Sequence, residues 1–171
     1  HGITHSVGMV AIPDDYDEIE AMREELPSGT YLWLNAFDTG NGRKYRYNDL
    51  ELSRLVRIDP WFETNTIDHV SLGQICRAGS SVFSVNSDGE VRRCHFVEEC
   101  LGNIYQSDWV FPAKELICPN QTCGCHIGYI HMPHLQQSRI YGRGLLERVP
   151  TNYVSLSAPD SVSTTQHRKS P

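Results

Sequence analysis

Apolar positions in the first third of the chain change their period twice. "VGMVAI" (Val7 to Ile12) is a continuous apolar run with β-branched residues, ended by Pro13, and predicts a buried strand. In "DDYDEIEAMREEL", Ile19, Met22 and Leu26 recur at helical spacing, and Asp14 and Asp15 stand where they can cap the helix and complement its dipole. "TYLWLNA" (Thr30 to Ala36) returns to an aromatic and aliphatic run of strand length. Strand, helix and strand in so few residues predict one βαβ crossover with parallel, adjacent strands. "NDLELSRLVRI" predicts a second helix, capped by Asn48 or Asp49, with Leu52, Leu55 and Val56 inward, stopping at Asp59 and Pro60.

From Ser71 to Pro150 the periodicity weakens and turn residues take over. "SVFSVNSDGEVRRC" predicts a β-hairpin: Val82 to Asn86 extended, "SDG" as the turn with Gly89 at the position that needs positive φ, and Glu90 to Cys94 returning. The rest of this region is rich in Gly, Pro and Asn and is expected to be loop-like, a segment that a cross-link or a metal centre would stabilise. "TNYVSLSAPDSVSTTQHRKSP", from Thr151 to Pro171, is polar and aperiodic and reads as a mobile tail. The expected division is therefore 1–70, 71–150 and 151–171: an α/β part, a small loop-rich α+β part with a hairpin, and a tail.

Composition narrows the partners. With 171 residues, 39% of them hydrophobic, the chain can bury a real core without disulfides. A net charge of -6, with the signs interspersed, offers no basic face to a nucleic acid or an anionic membrane. No apolar run reaches membrane-spanning length and "HGITHSVGMV" lacks the features of an export signal, so a reducing cytoplasm is expected. The first residue is His rather than Met, which suggests a piece of something longer.

All six cysteines, Cys76, Cys94, Cys100, Cys118, Cys123 and Cys125, lie in the second region. An even number admits disulfides, but an adequate core and the expected compartment argue against them. Cys100, alone in "VEECLGN", reads as an ordinary buried thiol. The other five read as a ligand set, because "CPNQTCGC" puts three thiols on one turn and the hairpin can present Cys94 beside Cys76. Zinc is usually announced by paired Cys-x-x-Cys knuckles, which are missing here, whereas an iron-sulfur cluster accepts more scattered thiolates within Gly-rich loops. Spacing leaves both metals open and leans to iron-sulfur.

"CRAGSSVFSVNSDGEVRRCHF", "LGNIYQSDWV" and "CPNQTCGCHIGYIH" together resemble the SPASM or twitch module at the C-terminal end of many radical SAM enzymes. The run from "CRAG" to "GLLERVP" resembles in particular a little-characterised bacterial group of radical SAM proteins encoded in conserved operons. The resemblance implies that Cys76, Cys94, Cys118, Cys123 and Cys125 are candidate ligands of an auxiliary [4Fe-4S] cluster, which takes three or four of them. It also implies, for the complete protein, S-adenosylmethionine, a second [4Fe-4S] cluster, an electron donor, and a peptide or small-molecule substrate. The Cys-x-x-x-Cys-x-x-Cys triad that binds the S-adenosylmethionine-cleaving cluster is not in this sequence. Residues 1–70 would then be the last strand-helix-strand units of the radical SAM barrel, and this chain alone would not cleave S-adenosylmethionine. A zinc-stabilised binding module that presents "HIGYIHMPHL" to a partner is the competing reading.

Other chemistry-bearing residues have plainer interpretations. His126, His131 and His134 read as partly exposed residues of a turn, His126 being the one placed to donate to a cluster sulfide; His95 beside Cys94 is similarly ambiguous. "GRGLLE" lacks the strand and third glycine of a phosphate loop. Arg92 and Arg93 read as a solvated hairpin edge. Asn35, at a strand end where ligands of α/β folds collect, reads as structural first.

Overall fold

A computed structural model describes residues 5–40, 43–106, 110–112 and 115–153. Strand β1 (Ser6–Ala11) and strand β2 (Tyr31–Ala36) pair in parallel, Ser6 opposite Tyr31 through Ala11 opposite Ala36. Between them runs α1 (Tyr16–Glu25), entered through a 3-10 turn at Pro13–Asp15. Proline pre-sets φ for that first turn, but neither Asp14 nor Asp15 makes the side-chain cap expected of it; they contribute only charge. Ile19 is fully buried and Met22 and Leu26 pack beside it, as the helical spacing predicts.

Helix α2 (Asp49–Val56) is fixed by a complete capping box: Asn48 Oδ1 accepts from the Leu50 and Glu51 amides, and Glu51 accepts from the Asn48 amide. Leu55 is fully buried with Leu52 packed beside it, but Val56 lies outside the core cluster and Ile58 takes its place. A short helix not anticipated from periodicity, α3 (Phe62–Thr66), buries Phe62 completely and packs on β2. Asp59, expected only to end a helix, is buried: it accepts from the Tyr31 hydroxyl at 2.7 Å, the Leu34 amide at 2.9 Å and the Trp61 amide at 3.0 Å.

Beyond residue 68 the sheets are small. β3 (His69–Val70), β4 (Ile75–Cys76), β5 (Ser84–Val85), β6 (Glu90–Cys94), β7 (Val97–Asn103), β8 (Leu116–Ile117) and β9 (Thr122–Cys123) form antiparallel pairs β3–β9 and β4–β8 and a three-stranded sheet β5–β6–β7. The β5–β6 hairpin turns at Gly89, whose φ is +81°, and a Cβ there would strike the Tyr105 ring at 2.5 Å. Strand β7 corrects the expectation of loop: it returns along β6 through two irregularities in register, which a simple alternation pattern does not reveal. Cys100 lies on β7, exposed rather than buried. Helices α4 (His126–Tyr129) and α5 (Ser138–Tyr141) follow β9.

Two further expectations change. Arg92 pairs with Glu90, but Arg93 is only 5% exposed: Gly79 packs against its Cβ, and its guanidinium donates to the Ile117 carbonyl of β8 and lies 3.6 Å from Glu99. Tyr153, assigned to the tail, is held: its hydroxyl donates to the Thr30 carbonyl at 2.9 Å and its ring meets Tyr31 edge-on at 4.9 Å. The remaining tail, 154–171, lies outside the described residues. Among the described residues no sheet is closed, and no helix is long and apolar enough to cross a membrane.

Candidate metal centre

Cys76, Cys94, Cys118, Cys123 and Cys125 line one cavity of about 600 Å³. Each arrives by a different local device. Cys76 ends β4, opposite Leu116 of β8, and Cys118 follows β8, its amide donating to the Gln74 carbonyl at 2.9 Å. Cys94 ends the strand that returns from the Gly89 turn. Cys123 sits on β9 opposite His69, and Cys125 precedes α4, its carbonyl accepting from the Gly128 and Tyr129 amides. Segments 49 residues apart in sequence, from Cys76 to Cys125, thus converge on one space. Cys100 does not join them; its thiol faces the Gly102 carbonyl at 3.6 Å.

Burial pushes the thiols of Cys76, Cys94 and Cys123 above the ordinary range, Cys123 up to about 12, and the neighbouring thiols push the same way. Without a cation in the cavity these sulfurs hold their protons; a bound metal reverses the balance and takes them as thiolates. Positive charge stands ready around the same space. Lys44 donates to the Ile67 carbonyl at 3.1 Å and to the Asn65 carbonyl, with Asp68, Cys123 and Cys125 near enough to favour its charge against the larger effect of burial. Arg93 Nη1 donates to the Ile117 carbonyl at 3.0 Å, while its buried Nε has no protein partner and its charge favours thiolate at Cys76 and Cys94. A thiolate-ligated centre is anionic, and these groups suit it.

Two glycines let the backbone approach. A Cβ on Gly128 would lie 2.5 Å from Cys123 Sγ, and one on Gly124 would lie 2.4 Å from Asp68 Oδ1 and 3.0 Å from Lys44 Cε. Among the described residues no group of three or more His, Cys, Asp or Glu closes around a single ion.

The histidines depart from expectation. His126 and His131 are buried, not partly exposed; His95 and His134 are exposed. His126 lines the cavity, yet both ring nitrogens are engaged. Nε2 donates to the Leu145 carbonyl at 3.0 Å, so Nδ1 accepts from the Tyr129 hydroxyl at 3.1 Å. Burial, with the Arg148 charge adding, lowers its pKa to about 3. No N–H remains for a sulfide. Tyr129 in turn accepts from Asn65 Nδ2 at 3.2 Å, and Asn65 Oδ1 accepts from the Ala36 amide at 2.6 Å. This relay anchors the cysteine loop to the end of β2.

Sequence reasoning missed wall residues that include Trp33, Asp38, Lys44, Asn65, Asp68 and Arg148, and undervalued Asn35, which accepts from Arg148 Nη1 at 2.9 Å. Position at the C-terminal end of a parallel strand was the available signal for Asn35, whereas Trp33 lies mid-strand opposite Gly8 and carried none. Lys44 and Arg148 come from irregular segments and carried none. Comparison with protein-family models, with curated proteins and with solved structures finds no match.

Proposed function

We propose that this chain is the C-terminal part of a radical SAM iron-sulfur enzyme and that its cysteine module holds one auxiliary [4Fe-4S] cluster. The observation that carries the proposal is selective convergence: the five cysteines assigned as ligands line one cavity, and Cys100, set aside as an ordinary thiol, does not. Of these, Cys76, Cys94, Cys118, Cys123 and Cys125 supply the three or four thiolates required, and a fifth is free to exchange or to border an open site. In this reading β1, α1 and β2 are the last strand-helix-strand units of the barrel, with the C-terminal end of β2 facing the module. The protein works in a reducing, cytoplasmic compartment.

A bound auxiliary cluster supplies one-electron transfer or an iron site open to substrate. The residues of this chain do the rest. Gly124 and Gly128 admit the backbone close to the sulfurs, Arg93 and Lys44 offset the negative charge of the thiolates, and Met132 and the covered face of β6 limit water. Hydrogen-abstraction chemistry starts on a triad not present in this sequence, so the isolated chain should produce no 5′-deoxyadenosine from S-adenosylmethionine and a strong reductant.

Anaerobic purification tests the reading. A brown protein with broad visible absorption and near-equal iron and acid-labile sulfide supports it. A colourless protein with stoichiometric zinc contradicts it and leaves a zinc-stabilised binding module.

A further inference from the structure

We infer that Arg148 forms, with Asn35 and Trp33, a binding site for a carboxylate on the small molecule or peptide end that shares the thiol-lined cavity. The site deepens the proposed function by naming a substrate class, and it stands on a group of residues that the metal centre does not require.

Arg148 is only 6% exposed and lines the cavity. Its guanidinium lies 3.7 Å from the centroid of the Trp33 ring, and Nη1 donates to Asn35 Oδ1 at 2.9 Å. It forms no ion pair with a carboxylate of the described residues. Asp59 is close enough for its charge to be felt, yet its oxygens are taken by Tyr31, Leu34 and Trp61. Burial opposes the charged guanidinium, and a buried charge without a counter-ion is costly unless a ligand provides one.

The surroundings fix this arginine more firmly than a packing role needs. Trp33 sits on Gly8, where a Cβ would be 2.1 Å from the indole, and its Nε1 donates to Ser6 Oγ at 3.1 Å. Ser6 Oγ in turn donates to the Glu147 carbonyl, tying down the peptide beside Arg148. Arg148 itself has φ +55°, one of two non-glycine residues in the left-handed region among those described. The other, Gln136, is an exposed residue ending a 3-10 turn. Strain at a buried, over-determined arginine on a cavity wall is the pattern of a pre-organised binding group.

The chemistry points to a monovalent, planar anion. One guanidinium edge matches a carboxylate with two parallel hydrogen bonds, and Asp38 and Asp68 in the same cavity oppose a polyanion such as a phosphate ester. Lys44 packs against Gly124, between Cys123 and Cys125, and Arg93 adjoins Cys94 and donates to the Ile117 carbonyl beside Cys118, whereas Arg148 is held on the β2 side of the cavity by Trp33 and Asn35.

The test titrates the ¹⁵N-labelled, anaerobically purified chain with N-acetylglycinate, with N-acetylglycinamide as the uncharged control, and follows the Trp33 indole N–H resonance, identified by its loss in Trp33→Phe. The expected result is a saturable shift for the carboxylate alone, with a Kd of roughly millimolar order, weakened at least tenfold in Arg148→Gln and in Asn35→Ala. Absence of a saturable shift, equal shifts for both probes, or unchanged affinity in a folded variant overturns the site. If Arg148→Gln does not fold, Asn35→Ala decides. Iron and sulfide are measured on the same samples: carboxylate binding without a cluster sinks the metal reading alone, and a cluster without carboxylate binding sinks this site alone.

Discussion

Asn65 Nδ2 donates to the Tyr129 hydroxyl at 3.2 Å, a buried hydrogen bond between residues 64 apart in sequence. Because Asn65 also accepts from Ala36 and Tyr129 also donates to His126, this contact joins the end of β2 to the loop that carries Cys123 and Cys125. Tyr129→Phe leaves Asn65 Nδ2 and His126 Nδ1 without partners in a dry site. A loss of about 1–3 kcal/mol in a denaturant titration is expected, together with faster loss of metal to a chelator.

Gly128→Ala probes the sulfur directly. The new methyl must displace Cys123 Sγ from a 2.5 Å approach, whereas alanine is otherwise the better helix former within α4. Secondary structure by circular dichroism should be retained while iron bound per chain falls at least twofold. A variant with full metal content would show that Cys123 does not need its present position.

Much of the ordered scaffold was legible because its signals are local. Pro13, Asn48 and Gly89 each announce an element boundary through backbone chemistry, and Ile19 and Leu55 announce buried faces through helical spacing; the reciprocal bond from Glu51 that completes the cap was not anticipated. The cysteine set was legible as residue chemistry, whereas the walls around it were not. Arg148 reaches Asn35 across 113 residues, and Asn65 and Tyr129 meet across 64; no periodicity encodes such pairs. Arg93 was misread because charge and hairpin position argue for solvent, while the groups packed on it, Gly79 and the Ile117 carbonyl, come from distant segments. The buried histidines were misread for a similar reason: His126 is neutral and doubly bonded, a state set by tertiary partners.

His131 gives a pH-dependent test. Burial lowers its pKa below the usual 6.5, and Arg77 acts in the same direction. The unfolded chain therefore takes up the proton first as pH falls, so stability present above about pH 6.5 is lost progressively below it. His131→Phe removes that loss and gives up no hydrogen bond at Nε2, which has no partner. Denaturant titrations at about pH 7 and about pH 5 should show a stability difference smaller than the wild type's by on the order of 1 kcal/mol. An unchanged difference would place the proton uptake elsewhere.

The cavity also predicts which thiol is dispensable. Cys100→Ser alters an exposed side chain on β7 and should change thermal stability by less than about 0.5 kcal/mol. Cys118→Ser replaces a buried sulfur in the apolar cluster around Met132 and should be felt in both stability and metal retention.

Iron and acid-labile sulfide per chain, measured in parallel on anaerobically prepared wild type, Cys94→Ala and Cys100→Ala, test the central claim most directly. The account predicts near-equal iron and sulfide in the wild type and in Cys100→Ala, with both lost from a bleached but folded Cys94→Ala. Zinc in place of iron, or equal loss from Cys94→Ala and Cys100→Ala, would contradict it.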